Sequence, residues 1–180
     1  MPTAAAATPA RARALDAATL TEALRITASR YPDLVAVRTV DDSVSITWRE
    51  LLARADAVAG GLSKLGVVRG DTVAIMVGNR PEFHVVDLAV AMLGATPFSI
   101  YLTSPPGEIR YLLRDAAPRL AVVERAWLPS LTEAAELEHV IVVDGQPGEG
   151  TLTLADVEGS NPEFDAAGRP TRSRRTTSSP

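Results

Sequence analysis

A parallel α/β sheet covered by helices on both faces, preceded by a short β-hairpin, is the fold class that the sequence predicts. Three observations predict it. From Thr72 to Val143, short and largely apolar runs recur, as strands buried on both faces require. Amphipathic stretches of about ten residues separate these runs, the spacing of crossover helices. Upstream, two β-type runs flank the turn-like Asp41-Asp42-Ser43, which reads as a hairpin.

The elements follow in order. Residues 1–18, rich in Ala with Pro2 and Pro9, read as a flexible lead-in. Thr19-Leu20-Thr21-Glu22 fits a capping box, the Thr19 hydroxyl serving a free backbone N–H and Glu22 reaching back. Leu20, Ala23, Leu24 and Ala28 then share one helical face, and Tyr31-Pro32 ends the helix. Val35–Val40 and Val44–Ile46 form the hairpin strands. A second capping box, Thr47-Trp48-Arg49-Glu50, opens a long helix whose stripe is Leu51, Leu52, Ala55, Val58, Ala59, Leu62 and Leu65. Gly66 is its C-terminal cap. Gly60-Gly61 inside it costs about 1 kcal/mol per residue against Ala, so the sequence predicts a close packing contact there.

The regular part follows: a strand over Thr72–Val77, and a helix from Arg80-Pro81-Glu82 to Leu93-Gly94 with proline in its first turn. Next come a strand over Ala95–Ile100 and a helix from Pro105 through Arg114. A strand over Leu120–Val123, a helix over Leu128–Leu137 and a strand over Val140–Val143 complete the alternation. Thr151–Val157 reads as one further short element, and from Gly159 the pattern fails. The expected organisation is a tail over 1–18, a folded unit over 19–158, and a basic Ser/Thr/Pro tail over 159–180 that reads as disordered.

Composition narrows the function classes. The chain has 180 residues, 46% hydrophobic and 22% charged, within the globular range. Cysteine is absent, which excludes disulfides, thiolate metal sites and a cysteine nucleophile, and fits a reducing cytoplasm. Net charge is −4; setting aside Arg169, Arg172, Arg174 and Arg175 leaves −8 (−4 minus 4), so the body is acidic and nucleic-acid binding is not expected. No apolar run approaches the roughly 20 residues that span a bilayer, and Met1–Ala18 does not fit a secretory signal.

Five segments in order now resemble one family. Ile46-Thr47-Trp48-Arg49-Glu50-Leu51 is similar to the helix opening of adenylate-forming enzymes. Leu65-Gly66 with Arg69-Gly70-Asp71-Thr72-Val73-Ala74-Ile75 resembles their strand entry. Asn79-Arg80-Pro81-Glu82-Phe83 and Ala91-Met92-Leu93-Gly94-Ala95 resemble a later helix start and end. Ser99-Ile100-Tyr101-Leu102-Thr103-Ser104, with Glu108-Ile109, looks most like the long-chain fatty-acid ligases of that superfamily. Their agreement in order carries the resemblance, over roughly residues 20–145. Leu102 departs from it: many relatives have a polar residue there, often Asn.

The resemblance implies the N-terminal part of an AMP-forming acyl-CoA ligase. The complete enzyme would activate a fatty acid with ATP and Mg2+, then load it onto coenzyme A. Such chemistry needs a Gly/Ser/Thr-rich phosphate loop, carboxylates for the metal and a mobile lysine. The sequence has no string like Thr-Ser-Gly-Thr-Thr-Gly-x-Pro-Lys-Gly; Thr176-Thr177-Ser178-Ser179 is nearest and lacks every glycine. Neither GxxxxGK nor GxGxxG occurs. The composition break over 168–180 falls where the family approaches this loop, and it reads as a frameshift or premature stop.

No catalytic, cofactor-binding or metal-ligating residue is therefore expected in this chain. Lys64, the sole lysine, reads as a cation at a helix end. His84 and His139 read as structural, and Asp41-Asp42 as a solvated turn. Trp48 and Trp127 read as packing anchors, and Glu82 as a helix-start carboxylate. The isolated chain is expected to be inactive and to need no cofactor. The alternatives are one half of a split ligase completed by a second polypeptide, or a non-enzymatic α/β binding module. The lipid substrate of the resembled family leaves membrane association open.

Overall fold

The structure, a computed structural model, describes residues 13–132 and 137–165. A 3-10 turn over Ala14–Asp16 precedes α1 (Leu20–Arg30), so part of the expected lead-in has local structure. The Thr19 hydroxyl accepts from Glu22 N–H at 3.1 Å, as the capping box requires. The Glu22 carboxylate instead accepts from Ala18 N–H, one residue upstream of the expected partner. Leu24 and Ala28 are buried, but Leu20, in the first turn of α1, is 61% exposed.

The hairpin is β1 (Val35–Arg38) and β2 (Ser45–Thr47), antiparallel, with a register shift between Val35 and Val37. It is shorter than expected, and Val40 lies wholly in solvent. Asp42 takes a left-handed φ of 57° in the turn, a conformation that Asp tolerates.

The long helix α2 (Trp48–Lys64) opens on a complete capping box: Thr47 Oγ1 receives Glu50 N–H, and Glu50 receives Thr47 N–H at 2.8 Å. Its end is a Schellman turn. Gly66 at φ 88° lets its N–H reach Ser63 O and Val67 N–H reach Leu62 O, both at 3.0 Å. The same device ends α3 (Pro81–Met92): with Gly94 at φ 70°, Gly94 N–H meets Ala91 O and Ala95 N–H meets Val90 O. Each turn sends the chain directly back toward the sheet.

The sheet is five-stranded and wholly parallel, in the order β4 (Thr96–Ser99), β3 (Thr72–Met76), β5 (Leu120–Val123), β6 (His139–Val142), β7 (Thr151–Thr153). The period-two geometry of a strand sorts its side chains into two cores. Val73, Ile75, Leu120, Val122 and Ile141 face α2, α3 and α6 (Leu154–Gly159). Ala74, Met76, Ala121, Val123, Val140 and Val142 face α4 (Pro106–Ala116) and α5 (Leu128–Thr132). Each fully buried Val, Leu or Ile in these layers contributes about 1.5–3 kcal/mol. No polar or charged residue is buried among the described residues.

Two elements differ from expectation. Thr151–Val157 is two elements, β7 and α6, because Thr153 caps a new helix by accepting Asp156 N–H. Only Leu128–Thr132 of the Leu128–Leu137 helix is described as helix, preceded by a 3-10 turn over Arg125–Trp127. Residues 133–136 lie outside the described residues, as does most of each expected tail.

The glycine pair of α2 makes the expected contact. A Cβ on Gly61 would lie 2.1 Å from Val157 O, and one on Gly60 would lie 2.8 Å from Phe164 Cβ. Asn161 Nδ2 donates to Gly60 O at 3.2 Å, and Arg54 pairs with Glu158 at 3.2 Å.

Gly61→Ala is therefore expected to destabilise the fold by about 1–3 kcal/mol through overpacking. Gly159→Ala, where a Cβ meets nothing within 4 Å, is expected to be neutral or mildly stabilising. Denaturant melts of the two variants check the contrast. The N-cap of α2 gives a pH prediction. The backbone and hydroxyl bonds from Thr47 hold the Glu50 carboxyl below its ordinary 4.5. A carboxyl depressed in the folded state stabilises above its unfolded pKa and loses that contribution as pH falls through the folded one. Thr47→Ala should thus lower the melting temperature at neutral pH, and the gap to the parent should narrow below about pH 4.5.

Candidate functional site

In an open α/β sheet, ligands gather at the carboxyl ends of the strands, where the strand order reverses. Here the chain runs outward from β3 to β4, then crosses back to β5 and onward to β7. The reversal lies between β3 and β5, and the residues leaving those strands are Val77-Gly78-Asn79-Arg80 and Glu124-Arg125.

This crevice is bridged from within. Gly78 N–H donates to Glu124 Oε1 at 2.6 Å, while Glu124 N–H extends the ladder to Met76 O. A Cβ at Gly78 would come within 3.0 Å of that carboxylate and 3.3 Å of Leu102 Cδ1. Leu102, the residue that departs from the resembled family, thus packs over the glycine turn. Arg80 lies beside it, its Nε 2.7 Å from Glu82 and its NH1 3.6 Å from Asp144. Asp144 accepts Arg125 N–H at 2.7 Å. The Glu82 bond, opposed by burial and aided by the charges of Glu82, Asp144 and Glu124, raises the Arg80 pKa. Burial pushes Glu82 up, but the Arg80 bond, its own backbone N–H and the Arg80 and Arg54 charges hold it below the ordinary carboxylate value.

Beside this network, a cleft of about 460 Å³ opens at the ends of β3 and β4. Val77, Phe83, Ile100 and Leu102 form its apolar wall, and Asn79, His84, Ser99 and Tyr101 add polar groups.

The arrangement positions and neutralises charge. The backbone N–H of the only glycine in the reversal turn, where a phosphate could approach, already binds the Glu124 carboxylate. Among the described residues no group of three His, Cys, Asp or Glu side chains could hold a metal ion.

The weighed residues are scattered. Lys64 is exposed at the end of α2, and its Nζ donates to Ser160 O at 2.9 Å, so it serves the C-terminus of α6 as well as its own. His84 is exposed, edge-on to Phe83 with centroids 5.7 Å apart. His139 opens β6 opposite Leu120, at the N-terminal ends of these two strands. Asp41 accepts from the Ser43 hydroxyl at 2.9 Å and Asp42 pairs with Arg38, so both belong to the hairpin turn. Trp48 packs against the α2–α3 core and Trp127 against the α4–α5 core, each half-buried. Glu82 belongs to the Arg80 network. Thr176–Ser179 and the four tail arginines lie outside the described residues.

Sequence reasoning missed Glu124 and Asp144. Their signal is legible in hindsight: each acid directly follows a run of apolar strand residues, Leu120–Val123 and Val140–Val143.

Comparison with known proteins agrees with this geometry. The family described as AMP-binding enzyme matches residues 24–178. An uncharacterised protein of Mycobacterium tuberculosis, Rv1549, is 38% identical over 130 residues, which are 72% of this chain and 74% of that protein. The benzoate–CoA ligase of Thauera aromatica is 33% identical over 138 residues, 74% of this chain but 25% of the ligase. The crystal structure of the anthranilate CoA ligase AuaEII in complex with anthranoyl-AMP superposes with a TM-score of 0.76 at 26% identity, over 84% of this chain and 30% of that one. The chain thus spans about a quarter to a third of the ligases it matches and about three quarters of Rv1549. A sheet of this order, these helix starts and a match over residues 24–178 make the chain a member of the AMP-binding enzyme family.

Proposed function

We propose that this chain supplies the opening α/β unit of an adenylate-forming acyl-CoA ligase and does not adenylate by itself. The Glu124–Gly78 bond carries this reading, because an internal carboxylate occupies the backbone donor of the single glycine in the reversal turn. The sequence supports it from the other side: it has no glycine-rich phosphate loop and a single lysine, which caps a helix end. A second polypeptide would bring the loop, the lysine and the metal ligands. The complete assembly would join a carboxylic acid to AMP and then to coenzyme A, as the names of its relatives suggest.

For the acid we propose a fatty acid, on the resemblance of Ser99–Ser104 to long-chain ligases. Two relatives are named for aromatic acids, benzoate and anthranilate, so the assay compares both classes. Among the described residues no helix is long and apolar enough to cross a membrane.

The pure chain, given ATP, Mg2+ and either dodecanoate or benzoate, is expected to release no pyrophosphate. Release above the protein-free control would overturn the reading. Co-expressed with the polypeptide encoded immediately downstream, it is expected to copurify and to release pyrophosphate faster with dodecanoate than with benzoate. A complex that prefers benzoate would remove the fatty-acid assignment alone, and no complex would remove the two-chain reading.

A further inference from the structure

A second cavity, of about 600 Å³, lies between α1, β1, α2 and α3. That volume is within the range of about 300–1,000 Å³ usual for small-molecule sites. Its wall is mainly apolar, built by Leu20, Leu24, Val37, Trp48, Leu51 and Leu88. Four polar side chains also line it, and three are accounted for. The Thr27 hydroxyl donates to Ala23 O at 2.8 Å. Arg38 reaches out to Asp42 at 3.0 Å. His84 stands edge-on against Phe83.

The fourth is Asp87 of α3. No hydrogen bond or ion pair engages its half-buried carboxylate among the described residues, and its electrostatic neighbour is His84 one turn before. Burial raises its pKa, and His84 opposes this. A half-buried carboxylate lining a mainly apolar hollow with no hydrogen bond or ion pair is costly, and a matching cation offsets that cost. Trp48 also lines the cavity, and an indole ring attracts cations.

We propose that this cavity binds an organic cation: an ammonium on an apolar chain, its charge against Asp87 and its body along Trp48 and the aliphatic wall. The site lies among α1, β1, α2 and α3, and it does not depend on the ligase reading. Arg38, the one guanidinium lining it, is turned to Asp42, which favours an ammonium over a carboxylate.

Isothermal titration of the full chain near neutral pH with n-octylammonium, n-octanol and n-octanoate tests this. Octylammonium is expected to bind one saturable site, with the alcohol and the acid at least about tenfold weaker, the ratio that one charge contact of roughly 1.4 kcal/mol gives. Asp87→Asn should weaken octylammonium by about the same factor and leave octanol unchanged. Ala23→Phe, which fills the cavity, should abolish all three. Affinity for the cation alone should decline with falling pH, beginning above the ordinary Asp value of 3.8 as Asp87 takes up its proton. Equal binding of the three ligands, no saturable binding of octylammonium, or an unchanged affinity in Asp87→Asn would overturn the proposal. Should Asp87→Asn lose its fold by circular dichroism, the ligand series on the unaltered chain and Ala23→Phe decide.

Discussion

The close approach of α2 to α6 is the constraint on which the rest of the molecule depends. Two adjacent glycines flatten one side of α2, and Val157, Asn161 and Phe164 fill the space a side chain would need. Ion pairing of Arg54 with Glu158 and the bond from Lys64 to Ser160 frame that contact at both ends. The glycines cost helix propensity, about 1 kcal/mol each, and the packing they permit offsets it. Because α6 follows directly from β7, the contact also fixes the outermost strand of the sheet.

The two-sided sheet follows the same logic of complementarity. Alternating residues of β3 and β5 divide between two separate cores, so neither face is left for water. Of the exposed large apolar residues, Leu20, Leu34, Val35, Val40 and Val44 gather on α1, the hairpin and their connections, while Tyr111 stands on α4. A two-stranded hairpin has little to bury by itself. That is why the hollow with Asp87 is found there and not between the sheet and its helices.

Much of this was legible in the sequence, and the misses share a cause. Gly66 and Gly94 announced helix ends because a left-handed turn has a local signature. Gly60-Gly61 announced a contact because two glycines inside a helix need an explanation, although the partner, α6, could not be named. Leu20 was expected on a buried face, since periodicity gives direction along a helix and not where its cover stops. Glu124 and Asp144 escaped because their roles exist only once neighbouring strands align; Asp144 is 19 residues from the N–H it binds, and Glu124 is 46 from Gly78. The Glu22 bond to Ala18 shows the same limit at short range: the motif was right and its partner shifted by one residue.

The α2–α6 contact also sets an order of events during synthesis. Asn161 and the Gly60 carbonyl it binds are 101 residues apart, and Arg54 and Glu158 are 104 apart. At about 5–20 residues per second, the ribosome takes several seconds to deliver α6 after α2 has emerged. During that interval the glycine face of α2 has no cover, and contacts so distant along the chain slow folding further. A nascent chain of this design therefore exposes its sharpest packing surface longest, and it is then that a chaperone has most to shield.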